Sequence, residues 1–147
     1  IIAKESYVNG KKHGIFRKFY KNGRAAEEEN YDDDVKHGAW NKYYPNGKPK
    51  MEAMYKNGMR NGLFYFYYDN GKVEISGAYS NDLRHNVWIF YKPNGKEDFR
   101  LEYEYGIAKD IENLDKGEKK KFDEYEKNRR ELKDPDDFMN NPEEYFR

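Results

Sequence analysis

Along this chain the apolar positions form short aromatic runs, and the runs recur at one spacing. Starting from Tyr7, equivalent tyrosines stand at Tyr31, Tyr55, Tyr79 and Tyr103, each 24 positions from the next with no insertion. Nine positions after the first four come Phe16, Trp40, Phe64 and Trp88; twelve after come Phe19, Tyr43, Tyr67 and Tyr91. Asn-Gly follows each time, at Asn22-Gly23, Asn46-Gly47, Asn70-Gly71 and Asn94-Gly95. A fixed period of this size marks one supersecondary unit stacked on itself.

Each unit reads as a β-hairpin. Ile15 to Tyr20 is short, aromatic and ended by Asn-Gly, which predicts a strand and a type I′ turn with both central residues at positive φ. A second strand then runs to the next tyrosine: 25 to 31, 49 to 55, 73 to 79 and 97 to 103. The joining segments, such as 56 to 62, are too short for a crossover helix, so the hairpins must continue as an antiparallel meander. The expected fold is mainly β: a single-layer sheet of eight or nine strands, about 40 Å along the stacking direction. Alternation puts Phe16, Trp40, Phe64 and Trp88 on one face with Tyr20, Tyr44 and Tyr68. Phe19, Tyr43, Tyr67 and Tyr91 share the other face with Ile15, Ala39, Leu63 and Val87, so both faces carry ring ladders. Trp40 and Trp88 are expected on the same face and similarly oriented.

After Tyr105-Gly106 the period vanishes and charge rises, giving two parts: 1 to 106, about four repeats and a partial one, and a tail, 107 to 147. Phe122, Tyr125 and Leu132 fall near one helical face, predicting a helix over 119 to 132. Asp134-Pro135 and Asn141-Pro142 predict two short helical turns beyond it.

Composition adds that the core is aromatic: 15 Tyr, 9 Phe and 2 Trp stand among 38% charged residues, and aliphatic residues are scarce. Net charge is zero, divided as 18 Lys/Arg against 15 Asp/Glu before position 107 and 10 against 13 after it. No basic stripe of the nucleic-acid-binding kind stands out, and no apolar run approaches a membrane span. The absence of cysteine removes disulfides and thiolate metal sites together.

The candidate chemistry reduces to structure. His13, His37 and His85 occupy one repeat position, with Asn61 filling it in the third unit, and adjacent copies would lie about 10 Å apart, too far to share a zinc. Asp32-Asp33-Asp34 lacks the spaced ligands of a calcium loop. Neighbours in Glu27-Glu28-Glu29 point to opposite faces, which suits solubility and edge protection better than paired acid–base work. Ser6, Ser76 and Ser80 lie outside any nucleophile-elbow pattern. The expectation is a protein without catalytic residues, metal or cofactor. The chain begins at Ile1 rather than Met, consistent equally with a removed signal peptide and with trimming.

The pattern Tyr-x-Asn-Gly-x-x-x-Gly-x-aromatic-x-x-aromatic-Tyr-x-Asn-Gly, clearest over 7 to 23 and 55 to 71, resembles MORN repeats, and more closely the bacterial variant of YwqK-like antitoxins. Heavy use of Lys, Asn, Tyr, Ile and Glu with no Thr or Gln agrees with a bacterial source. The chain departs from the pattern at Asp33-Asp34, Asn81-Asp82 and Asn86, where different bends are expected. The resemblance implies a non-catalytic scaffold that binds another protein, either antitoxin- or immunity-like or an accessory subunit of a cell-envelope complex. The first context implies the cytoplasm, the second the periplasm. The alternative it implies is a phospholipid-surface module, for which Lys11-Lys12 and Lys119-Lys120-Lys121 are the basic clusters.

The repeats also change along the chain. Arg17-Lys18 and Asn41-Lys42 give way to Tyr65-Phe66 and Ile89-Phe90, and the second strands go from Ala25, Glu27 and Glu29 to Val73 and Ile75, then Phe99 and Leu101. An apolar half-sheet of this kind needs a cover. The partner-binding set is therefore Tyr65, Phe66, Trp88, Phe90 and Phe99 on the sheet, with Phe122, Tyr125, Tyr145 and Phe146 from the tail. The tail itself, with Leu132, Phe138 and Met139, is the nearest cover for repeats three and four; a partner protein is the other.

Overall fold

The structure, a computed structural model, describes residues 3 to 127. Eight principal strands follow one another: β1 (Gly14–Phe19), β2 (Ala25–Asp32), β3 (Val35–Tyr43), β4 (Pro49–Lys56), β5 (Gly62–Tyr67), β6 (Val73–Ser80), β7 (Leu83–Tyr91) and β8 (Glu97–Glu104). Each pairs antiparallel with its neighbours in sequence, forming one open meander. Two-residue strands at Ala3–Lys4 and Ile107–Ala108 end the path and pair on one side only. Tyr7–Val8 and Lys11–Lys12 form a separate small ribbon.

The two kinds of turn differ from expectation in opposite ways. At the Asn-Gly tips only the glycine has positive φ, from 87° to 91°, and Gly23 N–H bonds Tyr20 O at 3.0 Å. This is a type I turn closed by a glycine bulge, not type I′. The asparagine's own side chain selects it: Oδ1 of Asn22, Asn46, Asn70 and Asn94 accepts the backbone N–H two residues on, each at 2.9 Å. The type I′ turns are the joints between units, where both central residues are left-handed: Asn9-Gly10, Asp33-Asp34, Asn57-Gly58, Asn81-Asp82 and Tyr105-Gly106. Asp33-Asp34 and Asn81-Asp82 therefore bend as the others do. Their second aspartates hold the glycine conformation with a bond glycine lacks: Asp34 Oδ1 accepts Lys12 N–H and Asp82 Oδ1 accepts Arg60 N–H, each at 2.7 Å. Asn86 likewise reproduces the positive φ of Gly14, Gly38 and Gly62.

Repeats are tied at constant offsets. Tyr20, Tyr44 and Tyr68 donate their hydroxyls to the carbonyls of Tyr43, Tyr67 and Tyr91 at 2.5, 2.5 and 2.6 Å. At the joints, His37 Nδ1 accepts Asn57 N–H and Asn61 Oδ1 accepts Asn81 N–H, both at 3.4 Å. Asn61 can replace histidine at this repeat position because each offers an acceptor at the same reach.

One face is closed and the other open. Trp40, Phe64, Phe66, Trp88 and Phe90 from the first strands lie with Met51, Ala53, Ile75, Phe99 and Leu101 from the second in a continuous buried cluster. The two tryptophans share that face, as alternation requires, but are not similarly oriented. Trp40 lies 32° from Tyr55, whereas Trp88 stands 67° from Tyr103, and Trp88 Nε1–H bonds Ala78 O at 3.2 Å. The cause is the cross-strand neighbour. Gly77 is the repeat equivalent of Ala53 but meets Trp88 from the preceding strand, where Trp40 has Glu29, and Trp88 settles into the space above that glycine, 5.5 Å from Phe64 and tilted 27° from it.

A fifth unit begins and stops. Ile107–Ala108 pairs with Tyr103 and Glu104, then Asp110 turns left-handed and Ile111–Asn113 forms a 3-10 turn. Helix α1 (Lys116–Lys127) follows and starts three residues earlier than expected. Asp115 and Glu118 make a capping box, with Asp115 Oδ1 accepting Glu118 N–H at 2.8 Å and Glu118 Oε2 accepting Asp115 N–H at 3.1 Å. Phe122 and Leu114 lie against the buried cluster and Lys121 pairs with Asp98. The expectations for Leu132, the helical turns at 134 and 141, Phe138, Met139, Tyr145 and Phe146 lie outside the described residues, as does the side chain of Tyr125.

Candidate interaction surface

The partner-binding set from the sequence divides once the faces are known. Phe66, Trp88, Phe90 and Phe99 are at most 8% exposed and belong to the core, so their rings present no surface. Phe122 lies beside them as part of the cover. Tyr65 stands on the opposite, open face, half-buried beside Tyr67 at 6.2 Å between ring centres.

The closed face carries a ladder that the sequence reading missed. A cation from each unit lies over the unit's rings: Lys12 at 5.2 Å from Phe16 and 4.9 Å from Tyr31, Lys36 at 4.0 Å from Trp40, Arg60 at 4.5 Å from Tyr79, and Arg84 at 5.3 Å from Trp88. The signal was present, since the position five after each of the first four repeat tyrosines is Lys or Arg. Arg84 is only 5% exposed, so the ladder caps the core.

Toward the N-terminus the same face is charged yet still buried. Glu27, Glu29 and Lys42 are at most 4% exposed, which corrects the expectation that the glutamate run is solvated. Glu27 and Glu29 are two apart and share the inner face, where Lys18 and Lys42 flank Glu27 across the strands. Lys18 Nζ lies 3.6 Å from Glu27 Oε2, and Tyr31 donates to Glu29 at 2.6 Å. Burial, and then the charge of Glu27, push the Glu29 carboxyl up to about 7. Glu28 points outward: despite partial burial, bonds from Tyr43 at 2.6 Å and Arg17 at 2.7 Å hold it below the usual carboxylate range. Glu29 borders a cavity of about 80 Å³ with Lys12, Phe16, Lys18 and Tyr31, room for a few waters.

His13, Asp32 and Asp33 bring ligand atoms within 4.8 Å of one another, and all three are exposed. His13 Nδ1 sits 3.4 Å from Asp32 Oδ1, at a joint.

What the molecule presents outward is apolar and periodic. Across the open face Ala39, Met54, Leu63, Ala78 and Val87 form one row, with Leu63 59% exposed. Along the adjoining edge the joints expose Val35, Met59, Leu83 and Ile107 at the unit period. Each tip leans on the next: a Cβ at Gly58 would lie 3.5 Å from Val35 and one at Gly106 3.3 Å from Leu83. Apolar rows of this extent mark interaction sites in soluble proteins.

No curated protein matches the chain. The family description that does match is the MORN repeat variant, at residues 12–33, 36–57 and 60–81. Its frame opens on the cation of the ring ladder and closes at the following joint, so each match is one structural unit. The hairpin of β7 and β8 has the same build but lies outside the match; it carries Asn86 in place of glycine. Residues 12–33, 36–57 and 60–81 thus match three tandem units of the MORN repeat variant, laid out in an antiparallel β-meander.

Proposed function

We propose that this protein is a non-catalytic scaffold that binds another protein through its open face and joint edge. MORN repeats are generally modules for protein or membrane interaction. The observation that carries the protein reading is the exposed row of Met54, Leu63 and Val87, continued by Val35, Met59, Leu83 and Ile107. Aliphatic side chains at a regular pitch suit a packed protein surface better than anionic headgroups, and Lys109, the cation beside Val87, is engaged by Glu104. Tyr65, beside the row, keeps its place in the binding set. Two settings fit such a scaffold: masking of a toxin-like partner, and an accessory place in a cell-envelope complex.

The test compares the protein with its Met54→Asp/Leu63→Asp/Val87→Asp variant, each immobilised and exposed to extract of the native organism. These side chains are 41–59% exposed, so circular dichroism should be unchanged. A protein retained by the wild type and lost from the variant supports the reading. Equal retention by both, or binding of the wild type to phosphatidylserine vesicles that the variant loses, refutes it.

A further inference from the structure

The opposite long edge, made of the four Asn-Gly tips, is a row of cations. The residue after each glycine is Arg24, Lys48, Lys72 or Lys96, all exposed, and Lys21 and Lys92 stand exposed beside them. Acids on this edge are few. Asp69 is in the third tip, and Glu97 is engaged by Arg100. Among the described residues none of the four cations pairs with a carboxylate. At the joints, by contrast, Asp34 and Asp82 accept bonds from Lys12 and Arg60 and apolar side chains hold the tips.

The row is also fixed in place. The backbone N–H of each of the four residues is bound by its tip asparagine at 2.9 Å. Asn22 and Asn70 reach the next tip through the carbonyls of Pro45 and Pro93, at 2.9 and 3.0 Å. Lys72 Nζ leans across to Asn94 O at 3.0 Å. Successive cations are therefore held two strand spacings apart, about 10 Å.

We propose that this edge is a docking rail for an acidic, extended segment of a partner protein, one carrying a carboxylate at every third residue. In a polyproline II segment residues i and i+3 lie on the same side, about 9.3 Å apart, close to the spacing of the rail. Acidic segments poor in apolar residues are commonly disordered and sample this conformation. Two other polyanions fit less well. Strands in a sheet twist by about 20–25° each, so successive cations turn by roughly 45° and do not lie in one plane, which a flexible chain can follow and a bilayer cannot. Single-stranded nucleic acid needs rings to stack on, and the tyrosines at this edge, Tyr20, Tyr44 and Tyr68, are buried or half-buried with their hydroxyls tied to the next unit.

The rail is separate from the apolar row, so the two proposals stand or fall independently. The probe is a blocked peptide, (Glu-Pro-Ala) repeated four times, against a peptide of the same composition with its four glutamates contiguous; binding is read by calorimetry at low salt. The spaced peptide should bind at least fivefold more tightly than the block peptide. Replacing Arg24, Lys48, Lys72 and Lys96 together by Gln should weaken it at least tenfold. Apart from the exposed Lys72 Nζ bond to Asn94 O, the tip bonds do not use these four side chains, so circular dichroism should not change. A control replacing the exposed Lys11, Lys56, Lys116 and Lys119 by Gln, with the same change in charge, should stay within twofold, as should Met54→Asp/Leu63→Asp/Val87→Asp. Equal binding of the two peptides, or equal losses in the rail and control variants, would overturn the proposal. So would tighter rail-dependent binding to phosphatidylserine vesicles or to a thymidine dodecamer than to the spaced peptide, which would assign the edge to a membrane or to nucleic acid.

Discussion

Gly77→Ala should be among the most damaging one-carbon changes in this protein. A Cβ at Gly77 would lie 2.2, 2.3 and 2.7 Å from Cδ2, Cε2 and Cε3 of Trp88. Ordinary contact starts at 3.4 Å, so the ring must retreat by 3.4 less 2.2, or 1.2 Å. It has nowhere to go. Trp88 is 1% exposed, tilted 27° from Phe64 at 5.5 Å, perpendicular to Tyr79 at 5.2 Å, and held to Ala78 O by its Nε1–H. Overpacking costs about 1–3 kcal/mol, the lost hydrogen bond about 1, and disturbed ring pairs about 0.5–1.5. Reduced entropy of the unfolded chain returns about 0.4–1, leaving roughly 3 kcal/mol against total stabilities of about 5–15. Urea denaturation followed by Trp88 fluorescence, in a Trp40→Phe background, measures it. A Trp88→Phe change should recover part of the loss, with a coupling of about 1 kcal/mol or more in the double-mutant cycle. Ala53→Gly, at the equivalent site, should cost about 1 kcal/mol or less. If Gly77→Ala costs less than about 0.5 kcal/mol, the ring is not seated as described.

Tyr44→Phe removes the hydroxyl bonded to Tyr67 O and should cost about 1–2 kcal/mol in the same urea assay, without altering the far-ultraviolet spectrum. Glu29 gives a pH dependence of known sign. Its carboxyl is raised from 4.5 to about 7 in the folded state, so between those values the native protein binds more protons than the unfolded chain and stability falls as pH rises. The decline should total roughly 3 kcal/mol and level off above about pH 7, and Glu29→Gln should flatten it; a wild type whose stability rises over that interval contradicts the burial. Phe122→Ala should leave the strands protected from hydrogen exchange but speed exchange across α1 at least tenfold, and unchanged helix protection would show that its contact with the core is incidental.

The period, the strands, their faces and the drift toward an apolar C-terminal half were legible because tyrosine spacing and alternation are local, and the unit repeats without insertion. What was not legible depended on neighbours across strands. Nothing in Glu27-Glu28-Glu29 says that two of the three are buried; that follows from Lys18 and Lys42 arriving on either side. The Asn-Gly dipeptide alone does not reveal the tip turn, since the choice is made there by the asparagine side chain, and the left-handed pair at the joints is carried by Asp-Asp and Asn-Asp as well as by Asn-Gly. The set offered to a partner was largely core, since an apolar drift along the strands says that a cover is needed and not which face is already closed. Lys12, Lys36, Arg60 and Arg84 could have been found by extending the repeat comparison to charged positions. Asp115 and Glu118 had the capping-box spacing in plain view.

The ties between units have a consequence for how the molecule comes apart. Each joins a repeat to the next, at offsets of 20 to 23 positions. A structure held this way behaves as a row of coupled elements, each with its own strength, and disorder enters as a front that advances one element at a time. The elements are unequal. Glu27, Glu29, Lys18 and Lys42 fill in the early repeats the places held by Ile75, Leu101, Phe66 and Phe90 in the later ones, so the charged end is where the front should start. The row also has no preferred length: removing or adding 24 residues returns every hydroxyl, asparagine and joint to an equivalent partner, whereas 23 or 25 would turn a face inside out from that point onward.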